Sequence, residues 1–188
     1  MGTVLDGPKG HSGLNTYIAL LRAVNVGGTG KLPMAELKTM CTALGFTQVQ
    51  TYIASGNVVF QSAMSESKVK SALEAQLQTY AGKPVGVHIR TTAHMQAVRD
   101  GNPFPKAEPN RVMTIFLDKP ADKAMLTVVT GQKDEQIALG LNELYVHYGE
   151  GMAQSKLKVP AAKTGTARNM NTVAKLAKMA ENVKIAIK

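Results

Sequence analysis

Apolar stretches in this chain alternate between two periods, and the order in which they do so is the strongest constraint on its fold. Residues 16–24 (TYIALLRAV) form an almost unbroken apolar run rich in strand formers, the pattern of a buried strand. A Gly-rich loop, NVGGTGKL at 25–32, follows, and Pro33 suits the first turn of a helix. Met34, Leu37, Met40, Cys41 and Leu44 then recur at helical spacing, with Gly45 placed to end the helix. VQTYIA and VVFQ are two short strands, joined by the turn residues Ser55, Gly56 and Asn57. Ser65 or Ser67 caps a helix through Val69, Leu73, Leu77 and Tyr80, and KPVGVHIR at 83–90 is a further strand. The order is strand, helix, strand, strand, helix, strand.

The second half follows the same order. TTAHMQAVRD is a linking helix with Thr91 or Thr92 as its cap, and NPFPKAEPN is a Pro-rich loop. RVMTIFLD at 111–118 is a strand, and Pro120 opens a helix through Leu126 and Val129. EQIALG and ELYVHYG make a hairpin around Leu141 and Asn142. A helix over 166–181 and a strand over 183–187 complete the set, with extra material at 150–165. The residues themselves do not repeat; only the order of elements does. That order is the one of a ferredoxin-like plait. The expected fold is therefore α+β, with two ferredoxin-like (βαββαβ) plait halves in one compact chain. A flexible leader is expected over 1–15, an N-terminal domain over 16–90, a linking helix and loop over 91–109, and a C-terminal domain over 110–188. One larger mixed sheet with helices packed on it is the rival architecture.

Composition narrows the function. Hydrophobic residues make up 44% of the 188, enough for a packed core, and no apolar run approaches the roughly 20 residues that span a membrane. The first residues have no apolar segment of a secretory signal, so the expected location is the bacterial cytoplasm. One cysteine, Cys41, excludes an internal disulfide and a multi-cysteine zinc site. His11, His88, His94 and His147 are scattered, so neither a metal site nor a cofactor is expected. The formal net charge of +9 is uneven: residues 151–188 hold eight Lys and Arg against Glu181 alone. Such a bias suits an anionic partner, and equally a solvated surface.

The stretch GTARNMNTVAKLAK at 165–178 raises the sharpest question. With Thr166 as N-cap, Met170, Val173, Leu176, Ala177 and Ala180 gather on one helical face as a core. Arg168, Asn171, Thr172 and Lys175 gather roughly opposite. The unpaired N–H groups of a first turn, with an arginine fork beside them, make an anion site. The alternative is structural: Thr166 and Asn169 cap the helix while Asn171 and Thr172 sit in solvent.

Other motifs are weaker. NVGGTGK lacks both the GxxxxGK[ST] and the GxGxxG spacing, although its backbone N–H groups and Lys31 suit an anion. Ser55 stands in SGN, a turn sequence and no nucleophile elbow. The aromatic motif of an RNA-recognition domain has no match.

Several of these stretches together resemble a known family. The run from YIALLRAVNVGGTGKLPMAELKTMCTALGFTQVQ through TYIASGNVVF, then LYVHYGEG, SKL and TARNMNTVAKL, is similar to the bacterial family catalogued as domain of unknown function 1697. The likeness runs from about Thr16 to Lys178. It implies an α+β fold of two plait-like halves and no particular activity. It also implies functional weight for its polar positions: Arg22, Asn25, Gly27, Lys31, Ser55, Gly56, Asn57, Ser155, Lys156, Arg168, Asn169, Asn171 and Thr172. Met170 departs from the family pattern, where relatives often carry Trp; on the core face, that is a matter of packing.

The expectation is a protein that binds a small anionic ligand bearing phosphate or carboxylate. Arg22, Lys31, Lys156 and Arg168 would hold its charge, with Asn and Ser side chains orienting it. A nucleic-acid-associated basic module and a purely structural or interaction protein are the alternatives. No nucleophile or general base can be nominated, so whether the chain is an enzyme is open.

Overall fold

Among the described residues, strands of one half and strands of the other do not join: they form two separate four-stranded antiparallel sheets in an α+β architecture. The structure, a computed structural model, describes residues 13–26 and 30–183. The first half contributes β1 (Asn15–Leu21), α1 (Met34–Ala43), β2 (Thr47–Tyr52), β3 (Asn57–Ser62), α2 (Glu66–Ala81), β4 (Val87–Thr91) and α3 (Thr92–Asp100). The second contributes β5 (Val112–Phe116), α4 (Ala124–Thr127), β6 (Gln136–Leu139), β7 (Glu143–His147), β8 (Thr166–Asn169) and α5 (Met170–Glu181). The sheet orders are β2-β3-β1-β4 and β6-β7-β5-β8, the same arrangement twice. The registers repeat as well. Leu20 faces Asn57 as Phe116 faces Glu143, and Ile18 faces Arg90 as Thr114 faces Arg168.

Burial explains why both faces of β1 and β3 are apolar. Alternate residues of a strand point to opposite faces. Tyr17, Ala19, Leu21, Val58 and Phe60 pack against α1 and α2, with Leu37, Cys41, Leu73 and Leu77. Ile18, Leu20 and Val59 face the other way, into a core with Met95 and Val98 of α3 and Val173, Leu176 and Ala177 of α5. Val112, Phe116 and Tyr145 of the second sheet close that same core. Helices α3 and α5 therefore lie between the two sheets. The far face of the second sheet, Ile115, Leu117, Leu144 and Val146, is covered by partly buried residues of α4 and of the 157–161 segment. Burial pushes the Cys41 thiol up to about 12, so it serves as a small core residue.

The helix starts follow capping chemistry. Ser65, Thr91 and Asn169 each accept a backbone N–H of the first turn. Three expectations are corrected. The helix over 120–129 shrinks to Ala124–Thr127. The strand over 83–90 begins only at Val87. Most consequentially, the last helix does not begin at Thr166: Thr166–Asn169 is β8, paired with β5, and Asn169 is the N-cap of α5. Arg168 is thus a strand residue, and Thr172 is buried instead of facing solvent. The core face from Met170 to Ala180 is as the periodicity predicts. The strand over 183–187 falls, beyond Val183, outside the described residues, as does the leader up to residue 12.

Because Leu176 sits fully buried in the core shared by both sheets, Leu176→Ala is expected to cost roughly 2–5 kcal/mol. Urea unfolding followed by circular dichroism measures this. The transition should shift as a whole and remain single, since the core serves both halves.

Candidate functional site

The end of β1 is where the polar signature residues meet. Arg168 reaches across from β8 and is itself 6% exposed. Its Nε donates to Asn57 Oδ1 at 2.6 Å. One terminal nitrogen donates to Thr166 Oγ1 at 2.7 Å and to the Ala167 carbonyl at 2.9 Å. The other reaches the carbonyls of Leu21 at 2.8 Å, Ser55 at 3.0 Å and Gly56 at 3.4 Å. Among the described residues no carboxylate takes part. Burial alone pushes the guanidinium pKa down to about 10. Gly56 has to be glycine: its φ is +86°, and a Cβ there would stand 2.6 Å from Val24 and 2.9 Å from Leu21. Asn57 also donates to Tyr52 O and to Ser55 Oγ, which locks the hairpin turn.

The second half carries the mirror of this clamp. Arg90, 4% exposed and in the equivalent register, donates to the carbonyls of Leu117 at 2.6 Å and Asn142 at 3.2 Å. Leu117 takes the Asn142 carbonyl through its N–H as Leu21 takes that of Gly56. Each half therefore sends an arginine of its fourth strand onto backbone carbonyls of the other.

Asn25 pins the Gly-rich loop. Its φ is +55°, a left-handed conformation that asparagine tolerates. Its side chain bonds both the N–H and the carbonyl of Leu32, at 2.7 and 2.9 Å, and the Ala54 carbonyl at 2.8 Å. Gly27 lies outside the described residues.

Next along the chain, Arg22 enters a cleft of about 460 Å³. Its backbone N–H bonds Gly86 O, and its Nε bonds Gly165 O at 3.1 Å. Among the described residues its two terminal nitrogens have no protein partner. Lys31 and Lys83 line the same cleft, with Val24, Leu32, Leu77, Tyr80, Pro84 and Val85 as apolar wall and, among the described residues, no Asp or Glu. The corresponding cleft of the second half, about 330 Å³, has Asp118 where this one has Arg22. The two clefts thus share a place in the fold and differ in electrostatics.

The other expected site residues are elsewhere. Ser155 is hydrogen-bonded to Glu135 and accepts the Leu157 N–H, and Lys156 is exposed beside it; neither lines the cleft. Asn169 is a cap, and Thr172 is buried beneath it. Asn171, Lys175 and Lys178 form a short exposed stripe on α5, where Lys175 lies 6.0 Å over the Tyr52 ring. Of the four cations expected to converge, Arg22 and Lys31 share the cleft, Arg168 is consumed by the fold, and Lys156 stands apart. Lys83 and Tyr80 were missed as site residues. Their signal is slight: Gly82, left-handed at φ +69°, ends α2 and swings the next residues into the cleft.

Sequence reading also missed a polar seam between the halves. Buried His88 places Nδ1 3.0 Å from Asp118, which also pairs with Lys70. His94 Nε2 stands 3.8 Å from Glu143. Burial pushes Glu143 up, but attraction to His94 and the N–H groups of Leu141 and Asn142 outweigh it and hold the carboxylate low. Among the described residues no cluster of three or more His, Cys, Asp or Glu can hold a metal ion, and no helix is long and apolar enough to cross a membrane.

Arg168→Ala leaves three carbonyls and Asn57 without their donor and is expected to cost roughly 3–5 kcal/mol in urea unfolding. Arg168→Lys should recover less than half of that, since a lysine has three rotating donors in place of a planar fork of five. His88 gives a pH dependence. Burial pulls its pKa below 6.5, Lys70 and Arg90 push the same way, and Asp118 opposes them. The folded chain thus binds this proton less readily than the unfolded one. Stability is complete above about pH 6.5 and falls as pH drops from there toward the folded pKa. His88→Asn should flatten thermal stability between about pH 7 and 5; an unchanged slope would rule His88 out as its source.

Comparison with known proteins agrees with the fold. The conserved bacterial protein SP0830 from Streptococcus pneumoniae has a similar solved structure, with a TM-score of 0.73 and 26% identity over 89% of this chain and 99% of that one. No curated protein matches the chain. The family model described as protein of unknown function (DUF1697) matches residues 14–145. That span takes in Arg22, Asn25, Lys31, Asn57 and Lys83, while SKL and TARNMNTVAKL lie beyond it. By this match the chain belongs to the DUF1697 family.

Proposed function

We propose that the protein binds a small anionic ligand, bearing phosphate or carboxylate, in the cleft of Arg22, Lys31 and Lys83. The observation that carries this is the company these cations keep. All three line one partly apolar cleft that has no acidic residue among the described residues, and the guanidinium of Arg22 is oriented through Nε while its terminal nitrogens have no protein partner among the described residues. A pre-oriented fork is the device that recognises phosphate or carboxylate bidentately. The contrast with the second half supports the reading, because there the same place in the fold has an aspartate. In fold terms we read each half as a ferredoxin-like plait, on the strength of the shared antiparallel strand order. The second half replaces one crossover helix by irregular chain and a short 3-10 turn at Pro160–Lys163.

A nucleic-acid partner is the second reading. The stripe of Asn171, Lys175 and Lys178 beside Tyr52 favours it.

Both readings are tested by one titration series on the wild type, Arg22→Ala and Lys31→Ala. Pyrophosphate and citrate at about a hundred times Kd should raise the wild-type Tm by roughly 5–10 °C. Each variant should lose most of that shift. No shift from any anion sinks the cleft reading. Salt-sensitive binding of oligonucleotides, lost in Lys175→Ala with Lys178→Ala and kept in Arg22→Ala, would put the second reading in its place.

A further inference from the structure

The cleft offers more than charge, and its remaining surface narrows the ligand. We infer that it takes a phosphorylated nucleoside, with the phosphate on Arg22, Lys31 and Lys83 and the base on Tyr80. This rests on the reading that the cleft holds an anion.

Three features point the same way. Tyr80, on the last turn of α2, lines the cleft and is 47% exposed. Among the described residues no aromatic ring packs on it, and it lines the cleft together with Leu77. Second, residues 83–86 run between α2 and β4 without regular structure, and all four line the cleft. The one backbone bond this segment makes, among the described residues, is from Arg22 N–H to Gly86 O. Among the described residues, the N–H groups of Lys83 and Val85 and the carbonyl of Val85 have no backbone partner, which leaves a donor and acceptor edge. Third, a cleft of about 460 Å³ falls in the range that encloses ligands of this size.

The alternatives fit worse. Inorganic phosphate would use the cations and leave the apolar wall and Tyr80 without a role. A fatty carboxylate would lay methylenes against unpaired backbone groups, which costs free energy. A heteroaromatic base meets both demands at once. Its face stacks on the tyrosine ring, and its polar edge pairs with backbone N–H and C=O.

Isothermal titration calorimetry with AMP, ribose 5-phosphate, pyrophosphate and octanoate decides the matter on the full chain. AMP should bind at least tenfold more tightly than ribose 5-phosphate. Tyr80→Ala, a change at an exposed position, should weaken AMP about tenfold and leave ribose 5-phosphate unchanged, whereas Lys31→Ala should weaken both. Equal affinity for AMP and ribose 5-phosphate overturns the nucleoside assignment while the anion reading stands. Octanoate binding more tightly than AMP also overturns it, in favour of an acyl anion. Failure of all four to bind removes both readings.

Discussion

A buried positive charge held by uncharged acceptors organises this molecule. Among the described residues Arg168 has no carboxylate to neutralise it, and its guanidinium is met by the carbonyls of Leu21, Ser55 and Gly56 and by the side chains of Asn57 and Thr166. Such a charge is tolerable only when nearly every donor is satisfied, because desolvation costs several kcal/mol. The five-donor fork of arginine can satisfy that demand, and the ammonium of lysine cannot. Three distant segments must therefore be held in place around it: the end of β1, the turn between β2 and β3, and β8. Gly56 allows the turn to approach, since any Cβ there would run into Val24 and Leu21.

The reciprocal placement of Arg90 makes this a property of the whole fold. Each arginine stands in the fourth strand of its sheet, directly before the residue that caps the next helix, Thr91 for α3 and Asn169 for α5. Those helices lie between the sheets and fill the shared core. Helix start, interhalf clamp and core are thus fixed by the same few residues.

The clamp and the cleft are also continuous. Leu21 gives its carbonyl to Arg168, and the next residue, Arg22, is tied through its own N–H to Gly86 and through Nε to Gly165. The second half thereby helps aim a cation that belongs to the first. Structural and ligand-binding readings of the signature are not rivals in this arrangement. Arg168, Asn57 and Ser55 build the support, and Arg22 and Lys31 face the cleft.

Element types through the first half, the core faces and most caps were legible in the sequence, because they rest on short-range rules of spacing and capping. The reading failed at TARN. A four-residue strand has too little periodicity to announce itself, and Thr166 looks as good a cap as Asn169. Only pairing with β5, some fifty residues earlier, makes it a strand. The roles of the cations were equally hidden, since an arginine bound for carbonyls and an arginine bound for a ligand look alike in sequence. The sequence by itself determined the type of most elements, TARN and the ends of α4 and β4 apart, and which residues are apolar enough to be buried. Tertiary structure alone decided which polar residue is buried and which stays open, because the acceptors that claim Arg168 belong to a turn more than a hundred residues away.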